Sequence, residues 1–574
     1  MRFRFRGAAR AALTAFAASG ALAACGSDDA ARRPSPPDLA TASVAAGDPA
    51  LFWNAATVYF LLTDRFANGD PSNDAALGRA EDAAPLRGFE GGDLRGLLTK
   101  LEQGWFDSLG VDVLWMTPFV EQVRGIVDEG TGATYGYHGY WTRDWTAVDP
   151  ALGTVEDLRA VVEEAHRRGI RVLMDAVINH TGPVTGQDPV WPASWVRTGP
   201  RCAFDSYETT VDCTLVDNLP DVRLDSDEPV ELPRFLVEKW RSEGRLEAET
   251  AEIEAFFART GYPRAPRFFV IKWLTDWVRE LGFDGYRVDT AKHFEESVVP
   301  DLRREAELAL SDWRAANPDR LPGDLPFFLL GEVYAWTLSQ GRSFDFGDLA
   351  VDYFAAGYDG LINFGLKSAI PPGDPEALDV IYARYAAALE GGGLDGQAVL
   401  NYLSSHDDAE PWDPGRARPF EAGTILLLAP GGAQIYYGDE LARPLRVEGA
   451  TGDANLRSFM NWEDRGAGVT DELLAHWRKL GRFRADHPAV GAGVHRRLRA
   501  EPYVFARTLT ADGLSDRVVV ALDVGRGEVT IPVGDVFTDG AELADAYGGG
   551  HATVREGAVT LRTESGLVLL SEQP

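Results

Sequence analysis

Residues Thr154–His180 read TVEDLRAVVEEAHRRGIRVLMDAVINH, and the fold is decided in this stretch. Its first half has the pattern of a helix. Thr154 can cap it, Asp157 stands at the capping-box distance, Leu158, Val161, Val162 and Ala165 share one face, and Gly169 ends it. A strand, Val172–Val177, starts at once, so the segment is one turn of a βα repeat. The alternation continues outward in both directions. Further strands are predicted at Val58–Leu62, Val111–Met116, Gly285–Val288, Phe327–Leu330, Leu361–Phe364, Val399–Leu403 and Gln434–Tyr437. Helical patterns lie between them at Leu94–Leu109, Phe268–Leu281, Leu302–Ala316, Pro375–Leu389 and Leu473–Phe483. Eight such units predict an α/β fold, a closed (β/α)8 TIM barrel.

Two regions break the rhythm. After the third strand, at about residues 181–266, turn formers, two cysteines and one short helical stretch near Ala251–Ala258 predict an inserted subdomain rather than a loop. Beyond about Val490 the helices stop. Tyr503–Arg507, Arg517–Val524, Glu528–Ile531 and Val559–Leu570 predict strands of a C-terminal antiparallel β-sandwich. The expected domains are a barrel over 51–485 and a sandwich over 486–574.

At the N-terminus, Arg2, Arg4, Arg6 and Arg10 precede an apolar run, Ala11–Ala24, too short to span a bilayer and arranged like a signal peptide over 1–24. The following Leu22-Ala23-Ala24-Cys25 resembles the lipobox of bacterial lipoproteins, which implies a lipidated Cys25, a flexible tether over 25–50 and a membrane partner. Gly26 lacks the Asp that retains lipoproteins at an inner membrane, so an outer-membrane or cell-surface location is expected, with the facing leaflet open. Cys202 and Cys213 then remain, in a compartment that permits a disulfide between them. The formal charge of −32 disfavours phosphate backbones and suits neutral, hydroxyl-rich ligands, so no nucleic-acid partner is expected. A monomer is expected.

Barrel enzymes place their chemistry where strands end, and four strands end in charged residues. The third gives Asp175-Ala-Val-Ile-Asn179-His180 and the fourth Arg287-Val-Asp289-Thr-Ala-Lys292-His293. The fifth gives Gly331-Glu332-Val333 and the seventh Ser404-Ser405-His406-Asp407. Three acids around one mouth can perform acid/base and nucleophilic work on a glycosidic bond. Arg287 would hold Asp289 ionised, while burial near other carboxylates would raise Glu332.

These four segments resemble the signature regions of the α-amylase superfamily, glycoside hydrolase family 13. Tyr137-His138-Gly139-Tyr140-Trp141 resembles its substrate-facing loop. Within the family the chain is similar to the bacterial periplasmic α-amylases, through Leu403–Asp407, Asn218-Leu-Pro-Asp221 and Tyr436-Tyr437-Gly438-Asp439-Glu440. The resemblance implies a glycoside hydrolase cleaving α-1,4 bonds of starch, maltodextrins or glycogen with retention. It makes Asp289 the nucleophile, Glu332 the general acid/base and Asp407 the transition-state stabiliser. Substrate contacts are implied for His138, Tyr140, His180, Arg287, Lys292, His293 and His406. Ser405 stands where chloride-activated members carry an Asn ligand, which speaks against chloride activation. A cyclomaltodextrinase or transglycosylase, or a non-catalytic glucan-binding lipoprotein, stay open as alternatives.

The resemblance also implies Ca2+. Asn179, Asp221 and the His293 carbonyl match the residues around one ion, an all-oxygen set suited to a hard cation. A second ion is expected in the first βα loop, where Asn68, Asp70, Asn73 and Asp74 crowd oxygen donors into seven residues and Gly91-Gly92-Asp93 follows. The similar segment of cyclodextrin glucanotransferases implies Asn68, Asp70, Asn73, Asp74, the Gly91 carbonyl and Asp93 as ligands. A solvated polar turn is the other reading of this loop.

Overall fold

Thr154 caps its helix reciprocally. Its Oγ1 accepts the Asp157 N–H at 3.2 Å, and Asp157 Oδ2 accepts the Thr154 N–H at 2.9 Å. The helix runs Val155–Arg167 and the strand after it Arg171–Ala176, as the pattern requires. The structure, a computed structural model, describes residues 47–573 apart from 80–81, 129, 320–322, 409, 467 and 512. Cys25, the signal segment and most of the tether lie outside the described residues.

Eight of the described strands close into a parallel barrel. In chain order they are β1 (Thr57–Leu61), β2 (Val113–Met116), β3 (Arg171–Ala176), β4 (Gly285–Val288), β5 (Phe328–Gly331), β6 (Gly360–Asn363), β7 (Ala398–Asn401) and β8 (Gly432–Tyr436). β1 pairs with both β2 and β8, which shuts the ring. All eight are buried throughout, as parallel strands covered on both faces must be. At the strand starts Trp53 stacks on Phe328 with ring centroids 3.7 Å apart, and within the barrel Phe60 stacks on Trp115 at 3.8 Å.

Three sequence expectations need correction. The helix expected over Leu94–Leu109 is two, Leu94–Glu102 and Trp105–Ser108, because Gly104 takes φ +70° and turns the chain between them. The insertion holds two longer helices, Arg234–Ser242 and Leu246–Thr260, and a single turn, Glu208–Val211, where one short stretch was expected. The first hides its apolar face because Lys239 is part of it, buried by pairing with Asp144 at 2.7 Å and Glu121 at 2.9 Å. The last expected strand, Val559–Leu570, divides into Ala558–Thr563 and Val568–Glu572, with Gly566 at φ +81° between. Cys202 and Cys213 form the expected disulfide inside the insertion.

The C-terminal strands form a six-stranded antiparallel sheet and a two-stranded one. Alternate residues serve two cores. Val504, Ala506, Val519, Ala521, Val568 and Leu570 pack between these sheets, while Phe505, Val518, Val520 and Leu569 join the barrel's core. Among the described residues no helix is long and apolar enough to cross a membrane.

Candidate active site

Register brings the acids together. β4 and β5 pair with Val288 opposite Gly331, so the next residues, Asp289 and Glu332, leave neighbouring strands at the same height. β4 also sets Arg287 opposite Asp175 of β3. Arg287 and Asp289 are two apart and share a face, so both point into the mouth.

Arg287 is the hub. Its Nη1 donates to Asp175 Oδ1 and to Asp289 Oδ1, both at 2.7 Å, and its Nη2 lies 2.8 Å from Glu332 Oε1. The second Asp289 oxygen, Oδ2, is buried without a hydrogen-bond partner. Glu332 Oε2 accepts the Thr290 N–H at 2.9 Å, which Thr290 presents from a left-handed conformation, φ +49°. A β-branched residue pays strain for that angle, and here the angle ties the Asp289 turn to Glu332.

Burial pushes both Asp289 and Glu332 up to about 7, Arg287 pulls both down, and neighbouring carboxylates raise both. The sequence reading assigned Arg287 to Asp289 alone; in the structure one guanidinium serves both acids, so they titrate as a pair. Asp407 behaves differently. Burial alone would raise it, but His406, Arg457 and Arg287 together hold it well below the usual carboxylate range. His406 Nε2 lies 2.8 Å from Asp407 Oδ2, Arg457 Nη2 pairs with Oδ1, and Arg457 Nε donates to the His406 carbonyl at 3.1 Å.

Tyr140 stands over this floor, its hydroxyl donating to Asp175 Oδ2 at 2.8 Å and its ring stacked beside His406 at 5.3 Å. Trp115 Nε1 donates to the same Asp175 oxygen at 3.0 Å. His138 Nδ1 accepts the Tyr140 N–H at 3.1 Å, and His180 Nε2 donates to the Tyr140 carbonyl at 3.1 Å. Burial lowers both imidazoles, His180 to about 4, so both are neutral hydrogen-bonding groups at pH 7. Lys292 reaches the Tyr334 carbonyl at 3.3 Å and lies over the Phe344 ring. His293 is turned to the Thr210 carbonyl, 3.2 Å from Nδ1, and so joins the barrel to the insertion. Glu332, Asp407, His406 and Arg287 line a cavity of about 280 Å³, with Tyr334, 53% exposed, at its rim. Asp175, Thr290, Arg457 and Tyr334 are the residues the sequence reading passed over; only Asp175, inside a quoted strand end, carried a local signal.

The expected cation ligands divide into those that fit and those otherwise engaged. Asn179 Oδ1 and Asp221 Oδ1 are buried without partners, the arrangement a hard cation would satisfy. Arg197 stands beside them, its Nε 3.3 Å from Asp221 Oδ2 and its other nitrogens on Asp212 and Asp225. In the first βα loop, Asn68 Nδ2 donates to Asp74 Oδ1 at 2.8 Å, and a Cβ on Gly91 would stand 2.7 Å from that Nδ2 and 2.8 Å from that Oδ1. Asn73 Oδ1 is buried without a partner. Asp93 instead caps the helix Leu94–Glu102, its oxygens accepting from Gly69, Asp70 and Gly96 N–H groups, and Asp70 is turned to Ser72 and Arg95.

A family model described as "Alpha amylase, catalytic domain" matches residues 60–187. The periplasmic α-amylase of Escherichia coli strain K12 is 38% identical over 502 residues, covering 77% of this chain and 68% of that protein. Neopullulanase 2 of Thermoactinomyces vulgaris is 26% identical over 538 residues, covering 90% of this chain and 77% of that protein. Among solved structures, an Anoxybacillus α-amylase superposes with a TM-score of 0.63 at 22% identity, covering 91% of this chain and 99% of that one, a likeness of fold.

Proposed function

The chain belongs to the α-amylase family of glycoside hydrolases, and from that premise we propose that it hydrolyses α-1,4-glucosidic bonds of starch, maltodextrins or glycogen with retention of configuration. The observation that supports this most is the seating of Asp289 and Glu332 on neighbouring nitrogens of one buried guanidinium.

Asp289 is the nucleophile. Arg287 pins its Oδ1 and leaves Oδ2 free to attack C1 of the sugar. As that bond forms, the C1–O bond to the leaving chain breaks and Glu332 gives its proton to the departing oxygen. Glu332, now a carboxylate, takes a proton from water, whose oxygen attacks C1 and releases Asp289. Asp407, kept ionised by Arg457 and His406, accepts from sugar hydroxyls and stabilises the positive charge that develops at the ring. Tyr140 stacks on the sugar, and His138, His180, His406 and Arg287 contact it. Lys292 and His293 lie on the leaving-group side.

The acting unit is the barrel over 51–485, with its insertion at 181–266, and the sandwich over 486–574 supports it. Calcium is proposed at two places: between Asn179, Asp221 and the His293 carbonyl, and in the first βα loop among Asn68, Asn73, Asp74 and the Gly91 carbonyl, while Asp70 and Asp93, engaged with Ser72, Arg95 and backbone N–H groups, are left out of that set. Bound there it would supply structural ties. Export through the N-terminal signal agrees with the periplasmic location named for the Escherichia coli relative, and from the sequence we propose that Cys25 is lipidated at the outer membrane or cell surface.

Products from long amylose, maltoheptaose and a cyclodextrin, followed over time, test the reading. Amylose should fall to short maltooligosaccharides faster than the ring opens. Relatives named cyclomaltodextrinase, from Bacillus sp, and cyclomaltodextrin glucanotransferase, from Geobacillus stearothermophilus, 25% and 24% identical, favour a second reading, cyclomaltodextrinase or transglycosylase action. Faster ring opening, or products longer than the substrate, would select it.

A further inference from the structure

A second cavity, of about 460 Å³, lies between the barrel and the C-terminal sheet, and the chemistry above uses none of its residues. Its floor is apolar, formed in part by Ile370 and Leu567, and its rim carries the rings of Phe420 and Tyr547. Phe420 is 37% exposed although it sits in the first turn of the helix Pro419–Leu427. Both rings are held in place by His476, itself only 5% exposed. Its Nδ1 and the Tyr547 hydroxyl are 2.8 Å apart, its Nε2 meets the Phe420 carbonyl at 2.8 Å, and its ring lies between theirs, with centroids 5.3 and 5.7 Å away. Preorganised aromatic surface of this kind lowers the ordering cost of a ligand.

Charge narrows the ligand. The rim's guanidinium, Arg418, is taken by Glu421 at 2.8 Å, and Asp374 and Asp523 add further carboxylate to a chain already at −32. An anion is disfavoured here. A pyranose fits: its C–H face matches aromatic rings and an apolar floor, and its hydroxyls donate to carboxylates. Proximity narrows it further. Ser368 lines the catalytic mouth and Ile370 lines this cavity, two residues apart, no more than about 7 Å along the backbone.

We propose that this groove holds a second stretch of the same α-glucan chain whose scissile bond lies at the mouth. The proposal rests on the glucan hydrolase reading. Two linked footholds on one polymer raise its effective concentration at each, an advantage that grows with chain length and that short substrates lack.

The test uses the full mature chain. In an Asp289→Asn background, calorimetric titration with maltoheptaose should give two sites per chain, and adding Phe420→Ala should leave one. In the active enzyme, Phe420→Ala should lower the ratio of kcat/KM on amylopectin to that on maltoheptaose by on the order of tenfold. Phe420→Trp, which keeps a ring at the rim, should hold the ratio. A stoichiometry that Phe420→Ala does not change, or an unchanged ratio, overturns the proposal. So does a dimer in sedimentation that Phe420→Ala dissolves, which would assign the groove to a second copy of the chain. If instead no sugar is released from either substrate by the active enzyme, the hydrolase reading has failed, and the titration still decides the groove.

Discussion

Asp289 and Glu332 share one guanidinium, so a proton gained by either is felt by both. Burial has raised the pair to about 7, and the first chemical step needs one proton on Glu332 and none on Asp289. As pH rises through about 7 that proton leaves, and kcat/KM should fall on the alkaline side. A rate that stays level to pH 9 would contradict this. Glu332→Gln should lower kcat on α-glucan by about 10²–10⁴-fold and remove the alkaline limb. Arg457→Ala should lower kcat/KM by about tenfold, the scale of one charge-assisted hydrogen bond to Asp407; wild-type activity in that variant would refute the clamp. Asp289 and Glu332 were legible in the sequence because each follows directly on a strand end, and Asp407 because it closes the short polar run beyond β7. Arg457 was not: it returns from 50 residues beyond Asp407, out of a turn-rich loop with no local pattern. Nor was Thr290, whose left-handed backbone suits Gly or Asn and leaves no mark in a threonine.

At the scale of elements, what was legible followed periodicity. The helix after Thr154 could be read to its cap because hydrophobic spacing, capping residue and terminal glycine agree. Thr154→Ala should cost about 1 kcal/mol in urea unfolding, a loss confined to stability with kcat unchanged. The helix Arg234–Ser242 was not legible because tertiary pairing overrides its pattern: Lys239 occupies a core position that its pairing with Asp144 and Glu121, and with Glu243 beside them, makes tolerable. The disulfide between Cys202 and Cys213 closes a loop in the same insertion. Replacing both with serine should lower stability by up to about 3 kcal/mol in the chain-entropy description. Unfolding midpoints of the oxidised and serine forms that coincide would show the bridge to be dispensable.

The described residues form a parallel barrel with its acids at one rim, an insertion joined to that rim through His293, and a sheet whose alternate residues belong to two cores. Among the buried oxygens without partners are those of Asn179, Asp221 and Asn73, at the two places proposed for a cation. Chelation of the purified protein should therefore lower its Tm, and calcium should restore it; a Tm indifferent to both would remove the proposed cations. The central claim is a double displacement through Asp289 at the Arg287-bound pair, and the anomeric form of the first product reports on it most directly. Proton NMR during the first turnovers on maltoheptaose should show the α-anomer of the new reducing end appearing first, with β following only by mutarotation. A β-anomer formed first would mean that water, and not Asp289, attacks the sugar, and would contradict the mechanism.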